Sequence, residues 1–297
     1  MNYTVKKTLS ILLLLVASVV WGLAFVAQSE GSGSVGPFTF TASRFLIGGV
    51  ALLPIIGVQS LFGTKKKTTA VTKTLWKGGI LCGVALAVAS VLQQIGIGHT
   101  TVGKAGFITA LYIIIVPIIS MFFRKKPSFP LWIGVALATV GIYLLCMGGG
   151  KFTVAKGDLY VLACALCFSV QIMLVDHFAP KLDGIKLACI QFITAGALCV
   201  IPAVILEHPT LASLKAALIP ILYTGLISSA VGYTLQIIGQ KNVPPALASL
   251  LMSLESVFAV LAGWVLLNQY LSVPEMIGCA LMFVAIILAQ INPKKEK

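Results

Sequence analysis

The sequence predicts an all-α integral membrane protein with ten transmembrane helices, arranged as two inverted five-helix repeats. Three observations support this prediction: the composition, ten long apolar stretches, and the similarity between the two halves of the chain. Of the 297 residues, 59% are hydrophobic and only 10% are charged, and the mean hydropathy is +1.04. Soluble domains carry about a quarter charged residues, and disordered chains have low hydrophobicity, so the composition excludes both classes.

Ten stretches are apolar and long enough to cross a bilayer, which takes roughly 20 helical residues. The segments between them carry turn residues or basic runs and are too short to hold a soluble domain. The first stretch resembles a signal peptide, but its apolar run exceeds the usual length of roughly 7–15 residues, so we expect it to be a span. The ten stretches are 8–28, 37–62, 77–98, 101–123, 128–148, 157–178, 184–206, 214–239, 244–267 and 272–291.

The basic residues predict the orientation of these spans. With the amino terminus inside, the cytoplasmic segments hold 16 of the 21 Lys and Arg residues, and the outer segments hold four. This bias is usual for cytoplasmic loops of membrane proteins, and it accounts for the net charge of +13 without nucleic acid as a partner. We therefore expect a multi-pass protein of the cytoplasmic membrane with both termini in the cytoplasm.

The two halves of the chain resemble each other. Residues 128–137 (SFPLWIGVAL) and 272–281 (SVPEMIGCAL) are identical at six of ten positions, at an offset of 144. Five helices per half would make the second half enter the membrane from the opposite face. Inverted repeats of this kind are typical of secondary transporters, whose substrate site lies near the midplane. The predicted repeats are residues 1–150 and 151–297.

Short motifs in the spans resemble those of the EamA-type family of the drug/metabolite transporter superfamily. They are Trp21-Gly22, Arg44, Ala105 to Thr109 followed by Pro117, Leu254 to Ala259, Gly263-Trp264, and Pro274 to Gly278. The resemblance covers essentially the whole chain. It implies a transporter of small molecules, because members of that superfamily export amino acids and related metabolites, while others carry nucleotide sugars, sugar phosphates or drugs. It does not identify the cargo.

Glu255 is the first candidate for the chemistry of transport. It lies about twelve residues into the ninth predicted span, which is near the midplane at about 1.5 Å per residue. A carboxylate at that depth costs roughly 2–4 kcal/mol on insertion scales. Two roles are open: coupling of transport to protons or to the cargo, and a structural hydrogen bond that holds the ninth span.

Arg44 lies about seven residues into the second predicted span, toward the outer side. It is a candidate for contact with a substrate carboxylate or for gating. Alternatively, it pairs with Glu30, or it extends to the interface as long basic side chains near helix ends do. Lys104, at the outer start of the fourth span, is either a cation at the mouth of a cavity or a charge on its rim.

Uncharged polar and aromatic side chains within the spans complete a candidate substrate cavity. Amides in spans also bind helix to helix, at roughly 1 kcal/mol each, so packing is their alternative role. Gln94 and Gln236 occupy equivalent places in the two halves, which favours positions on the central axis for both. The cavity candidates beside Glu255 and Arg44 are Trp21, Gln94, Thr109, Tyr112, Tyr233 and Gln236, and further amides lie at Gln93, Gln171 and Gln191.

Pro117 is the leading candidate for a hinge, because a proline within a helix removes a backbone hydrogen bond. A static kink is the alternative. On the fifth span, Gly134, Ala138 and Gly141 form a face of small residues that permits close approach of another helix. That helix belongs either to the same bundle or to a second copy, so monomer and homodimer both stay open.

Motifs of other functional classes are missing from the sequence. It contains no P-loop, H-E-x-x-H or G-x-S-x-G motif, and its seven cysteines lie in apolar stretches, so we expect no enzyme, ATP-driven pump, cofactor or metal site. We expect a secondary transporter that exports amino acids or similar small metabolites by alternating access, with the substrate, the bilayer and protons as partners. The alternative is an extruder of hydrophobic drugs or lipid-linked substrates.

Overall fold

The computed structural model describes residues 3–62, 69–100, 102–123, 127–147, 156–267 and 272–290, and these residues contain no strand. The helices of the first half are α1 (Tyr3–Ser32), α2 (Pro37–Phe62), α3 (Thr69–Ile97), α4 (Val102–Ala110), α5 (Tyr112–Phe122) and α6 (Phe129–Met147). The helices of the second half are α7 (Lys156–Phe178), α8 (Gly184–Pro202), α9 (Leu211–Ala216), α10 (Leu218–Leu222), α11 (Thr234–Gly239), α12 (Pro245–Met252), α13 (Glu255–Leu267) and α14 (Val273–Gln290).

Three segments of other helical types join these elements. A 3₁₀ turn (Ala179–Lys181) follows α7, and a π-helical segment (Ala203–Glu207) continues α8. A longer π-helical segment (Tyr223–Tyr233) joins α10 to α11, so the eighth predicted span is not one regular α-helix. The third span also differs from the prediction. It begins at Thr69 and not near 77, because the helix extends through the polar residues that precede its apolar part.

The described helices have the length and surface of an integral membrane protein. Eight segments, each a single helix or a run of consecutive helices, are long and apolar enough to cross a bilayer. Two shorter apolar stretches, Phe129–Leu144 and Met276–Ala289, lie in α6 and α14. Large apolar side chains cover the outer surface, such as Leu61 at 82% and Ile219 at 80% exposure. Apolar patches of this extent mark a surface that lies against lipid or another apolar partner.

Two spans that the sequence predicts as continuous are interrupted. The fourth span is interrupted at Leu111, where the Leu111 amide donates to the Ile108 carbonyl, one residue nearer than in an α-helix. The ninth is interrupted between Met252 and Glu255, where the Leu254 amide makes the same short bond to Leu251. Such tight 3₁₀ turns within helices often mark hinges. Leu111 and Leu254 are 143 residues apart, which is within one residue of the 144-residue offset between the two similar segments.

Pro117 does not mark the interruption of the fourth span. It lies inside α5, beyond the turn at Leu111. The hinge predicted from the proline and the observed discontinuity are therefore separate features of the same span.

The small residues of α6 pack against α14 of the same chain. A Cβ added at Gly134 would lie 2.9 Å from the carbonyl oxygen of Ala285, and one added at Gly141 would lie 2.9 Å from that of Gly278. Under the 144-residue offset, Gly134 corresponds to Gly278 and Gly141 to Ala285. Each of the two contacts thus joins a glycine of α6 to the α14 residue that matches the other glycine. The small-residue face is covered within the bundle.

Helices from opposite halves form most of the core. The α2 helix packs on α8, α3 packs on α7 and α8, and α1 packs on α13 and on the long π-helical segment. Polar contacts between the halves lie at both ends of the bundle. Where α1 begins, the Asn242 amide donates to the Ser10 hydroxyl at 3.0 Å. Where α1 ends, the Thr100 hydroxyl donates to Asp158 at 2.5 Å.

The loop between α11 and α12 is held by a lysine. Lys241 Nζ donates to the carbonyl oxygen of Leu182 at 2.8 Å. Burial lowers the pKa of the Lys241 ammonium, while the nearby Asp183 carboxylate acts in the opposite direction. The contact closes the same end of the bundle as the bond between Asn242 and Ser10.

Glu207, which the sequence analysis did not single out, holds the start of α2 from the other half of the chain. Its carboxylate accepts bonds from the amides of Phe38 and Thr39 at 2.8 and 2.7 Å, and from the Thr39 hydroxyl at 2.6 Å. The first amides of a helix have no partner within the helix, and an anion there is favoured by the helix dipole. Glu207 therefore acts as a cap supplied by a distant segment.

We expect Glu207→Gln to lower the free energy of unfolding by about 1–2 kcal/mol, because an amide cannot accept all three bonds and loses their charge assistance. Thermal unfolding of the detergent-solubilised protein measures this. Glu30→Gln is the matched control, since Glu30 is exposed, and should change stability by less than about 0.5 kcal/mol. Equal effects of the two substitutions would contradict the capping role.

Gly22 sets the closest approach of α1 to α13. A Cβ added there would lie 2.4 Å from Phe258 Cβ and 2.8 Å from the backbone nitrogen of Ala259. We expect Gly22→Ala to lower the free energy of unfolding by about 1–3 kcal/mol through overpacking. At Gly57 an added Cβ meets nothing within 4 Å, so Gly57→Ala should unfold at the wild-type temperature or above it. A wild-type melting temperature for Gly22→Ala would refute the proposed close packing.

Candidate substrate cavity

A cavity lies at the centre of the bundle, where helices of both halves converge. The space open to the centres of water molecules is about 30 Å³, which holds about one or two waters. The turn at Leu111 and the turn before Glu255 both border it. Its lining residues are Trp21, Ala24, Phe25, Gln28, Arg44, Gln93, Thr109, Tyr112, Phe168, Gln171, Ile172, Ser228, Tyr233, Gln236, Met252 and Glu255.

The structure brings seven of the eight predicted cavity residues together in this lining. They are Trp21, Arg44, Thr109, Tyr112, Tyr233, Gln236 and Glu255. Gln94 is not among the lining residues: its amide donates to the backbone oxygen of Gln28 at 3.0 Å, and its position on the central axis stays a prediction. The neighbouring Gln93 lines the cavity instead and donates to the Thr109 hydroxyl at 3.3 Å.

Glu255 begins a half-helix and does not lie in the middle of a continuous one. It is the first residue of α13, and Tyr112 is the first residue of α5. The Tyr112 hydroxyl donates to Glu255 Oε1 at 2.9 Å, and the two residues are only 3% and 5% exposed. The amino-terminal end of α13 favours a negative charge at this position. One hydrogen bond thus joins the two interrupted spans.

A second bond holds the same junction. The Ser256 hydroxyl donates to the Gly106 carbonyl oxygen at 3.0 Å. It ties α13 to α4, so both parts of the interrupted fourth span contact the beginning of α13. The position of Glu255 is therefore fixed by backbone and side-chain contacts on both sides.

Arg44 is buried beside the cavity and does not extend to the interface. It is only 2% exposed, and its Nη1 donates to Gln28 Oε1 at 3.0 Å. Its guanidinium carbon lies 4.6 Å from the centre of the Phe45 ring, a distance at which a cation is attracted to the ring. The alternative pairing with Glu30 is not formed.

Gln28 shows what the sequence prediction missed near Arg44. It is the last residue of the predicted first span, so it appeared to be a boundary residue, whereas α1 continues to Ser32. The extra helical turn places the Gln28 side chain next to the guanidinium. The signal available in the sequence was a polar amide side chain at the end of an apolar stretch.

An aromatic wall closes one side of the cavity. The rings of Trp21 and Tyr233 lie 4.7 Å apart, and Trp21 Nε1 donates to the Ser228 carbonyl oxygen at 3.3 Å. Ser228 belongs to the long π-helical segment, and π-helical segments often occur at functional sites. Phe45 and Phe192 pack on Tyr233 from behind. The fold thus positions Trp21 through both its ring and its indole nitrogen.

A chain of amides extends outward from the cavity through the second half. Gln236 Nε2 donates to Gln171 Oε1 at 3.2 Å, and Gln171 Nε2 donates to Gln191 Oε1 at 3.3 Å. The chain connects α11, α7 and α8, as expected for amides that bind helix to helix. Gln236 Oε1 is buried and has no partner among the described residues. An acceptor for a ligand donor therefore lies at the cavity end of the chain.

Two further predictions concern Lys104 and metal-ligating side chains. The side chain of Lys104 lies outside it, so neither role predicted for this residue is tested. In the described part of the chain, no group of three or more His, Cys, Asp or Glu residues is placed to hold a metal ion. The chemistry of the cavity is that of one cation, one acid, amides, hydroxyls and aromatic rings.

Known proteins resemble this chain over nearly its whole length. The model of the EamA-like transporter family matches residues 8–147 and again residues 155–290. An uncharacterized transporter of Archaeoglobus fulgidus is 28% identical over 97% of this chain and 88% of its own length. A probable terminal-alkyne amino-acid exporter of Streptantibioticus cattleyicolor is 23% identical over 77% of this chain and 75% of its own. A crystal structure superposes with a TM-score of 0.79 at 20% identity, covering 95% of this chain and 98% of that one.

The bond between Tyr112 and Glu255 predicts a coupled pair. Tyr112→Phe removes only the donor and should lower the free energy of unfolding by about 1–3 kcal/mol, because a buried carboxyl group loses its partner. Tyr143→Phe is the control, since Tyr143 is 48% exposed on the outer surface, and should leave the melting temperature unchanged. Tyr112→Phe combined with Glu255→Gln should cost at least about 0.5 kcal/mol less than the sum of the single substitutions. Strict additivity would show that the two side chains do not interact energetically.

Proposed function

This chain belongs to the EamA-like transporter family, and we propose that it is a secondary transporter that exports amino acids or similar small metabolites across the cytoplasmic membrane. The observation that carries the proposal is the central cavity, which contains one buried cation, Arg44, and one buried acid, Glu255, among amides and aromatic rings. A zwitterion presents the complementary pair of charges. The relative named as a probable amino-acid exporter supports the same class of cargo.

We propose ten spans in two inverted repeats, residues 1–150 and 151–297. The family model matches the chain twice, once in each half. The interruptions at Leu111 and Leu254 and the reciprocal contacts of α6 with α14 support the repeat. The α6 helix has 19 residues and α14 has 18, or roughly 27–29 Å at about 1.5 Å per residue, which is close to the roughly 30 Å hydrocarbon core. Both termini would then lie in the cytoplasm.

Transport would proceed by alternating access of the two halves. A cavity of about 30 Å³ is far smaller than the roughly 150 Å³ that admits benzene, so a metabolite needs the halves to separate. The contacts between Thr100 and Asp158 and between Ser10 and Asn242 hold opposite ends of the bundle closed. If the contact at one end breaks while the contact at the other end holds, the cavity opens to one side of the membrane. The turns at Leu111 and before Glu255 are the proposed hinges, and the hinge role of Pro117 stays a prediction.

Glu255 is the proposed coupling residue. It begins α13 at the junction of the two interrupted spans, and its partner Tyr112 belongs to the other half. A substrate ammonium or a proton that binds this carboxyl group would compete with the hydrogen bond from Tyr112 or change its geometry. Occupancy of the site would in this way alter the relative position of the halves. That link between occupancy and conformation is what coupling requires.

The test is metabolite profiling of the medium around cells that overexpress the wild-type protein or Glu255→Gln at equal membrane level. We expect the wild type to raise the external concentration of one class of amino acid or related metabolite. Loss of one member of a buried charge contact costs roughly 2–5 kcal/mol, so Glu255→Gln should export at least about tenfold less. Glu30→Gln, which removes an exposed acid, should export like the wild type.

Two outcomes would contradict parts of the proposal. Equal export by wild type and Glu255→Gln would assign Glu255 a structural role and move coupling elsewhere. No accumulation of any polar metabolite with the wild type would contradict metabolite export. Wild-type cells that then gained resistance to apolar cations or dyes would identify the alternative, an extruder of hydrophobic drugs.

A further inference from the structure

One edge of the Arg44 guanidinium is buried and unused. Nη1 donates to Gln28, but Nε and Nη2 make no hydrogen bond with any described residue. In the covalent geometry of arginine, Nε–H and one N–H of Nη2 point in parallel from the same edge of the planar group. That edge matches the two oxygens of a carboxylate, with which it forms two parallel charge-assisted bonds. Arg44 lines the central cavity, so its side chain borders the space that a ligand would occupy.

The described residues supply no anion to this edge. Gln28 is neutral, and Phe45 contributes only its ring. Glu255 lines the same cavity, but it bonds to Tyr112 and makes no ion pair with Arg44. An unpaired charge in an apolar interior is strongly unfavourable. The arrangement around Arg44 is therefore incomplete without an anion from outside the described residues.

The chemistry of the edge and of the cavity selects among anions. Two parallel donors fit a planar group with two oxygens better than a single-atom anion such as chloride. A phosphate ester carries more than one negative charge and three acceptor oxygens, whereas Arg44 is the one basic side chain in the cavity lining. A carboxylate balances that single charge.

We infer that the Nε–Nη2 edge of Arg44 is a carboxylate-binding subsite, and that the transported molecule is a monocarboxylate held there by two parallel hydrogen bonds. This inference rests on the proposed transport function and deepens it by naming the group that the substrate must carry. Phe25, Phe168 and Ile172 line the same cavity beside its amides, so an apolar side chain of the ligand also has a surface to contact. An apolar α-amino acid also presents an ammonium to Glu255.

The test uses the purified full-length protein in detergent and measures binding from the shift in melting temperature. The probes are L-leucine, its amide L-leucinamide, and isovalerate, which keeps a carboxylate on a branched apolar body one methylene shorter and lacks the amine. We expect L-leucine and isovalerate to stabilise the wild type, and leucinamide to bind at least about tenfold more weakly because it lacks the carboxylate. This comparison needs no variant, so it stays decisive if Arg44 variants fail to fold.

A variant series tests the edge itself. Arg44→Lys keeps the charge but lacks the parallel donors, so it should bind L-leucine and isovalerate at least about tenfold more weakly than the wild type. Thr41→Val is the matched control: it removes another buried and unpartnered polar atom from α2, at a position that does not line the cavity. This control should bind like the wild type. Binding of leucinamide as tight as that of L-leucine, full binding by a folded Arg44→Lys, or binding of neither carboxylate would overturn the inference.

The outcomes separate this inference from the proposed function. If cells export amino acids and Arg44→Lys exports them equally well, the transport function stands and the subsite is refuted. If cells export no metabolite but the purified protein distinguishes isovalerate from leucinamide, the subsite stands and the proposed export is refuted. Binding and export that both require the carboxylate and Arg44 would support the two together.

Discussion

The bond from Tyr112 to Glu255 lies where two spans depart from regular α-helical bonding inside the bundle. The hydrocarbon interior offers no water to backbone groups, so helical interruptions at this depth are tolerated only where protein or a cavity satisfies the freed groups. The two interrupted spans meet each other, away from lipid, and the central cavity lies beside their junction. Much of the remaining architecture, from the packing of α1 on α13 to the aromatic wall around Trp21, encloses this polar centre.

The same constraint governs the two charged residues that line the cavity. Glu255 is placed at the start of a half-helix, where peptide dipoles favour its charge, and it receives a hydrogen bond from the other half. Arg44 contacts a neutral amide and the face of a ring, and its Nε and Nη2 donate to no described residue. The protein thus satisfies its buried acid more completely than its buried base. That asymmetry distinguishes a residue that holds the halves together from one that is available to a ligand.

Most of the residues that line the cavity could be singled out from the sequence, because polar groups are conspicuous within apolar helices. Tyr112, Thr109 and Gln236 were found in this way. The interruption at Leu111 was not, because neither proline nor glycine marks it, whereas Pro117 is conspicuous and lies inside a regular helix.

Gln93 and Gln94 are adjacent, so they point about 100° apart on a helix, and only packing decides which one faces the axis. Phe25 and Ile172 gave no signal, since apolar residues that line a cavity look like any others in a span.

The cap that Glu207 places on α2 has a consequence for affinity. If the cavity admits ligand only when the halves separate, every measured dissociation constant includes the cost of reaching the separated state, and the apparent affinity falls in proportion to the fraction of molecules in it. Glu207 lies on the opposite half from α2 and outside the cavity lining, yet the bonds that it makes help to set that fraction. A residue that never contacts the cargo would then regulate how tightly the cargo is held, through the rarity of the open conformation.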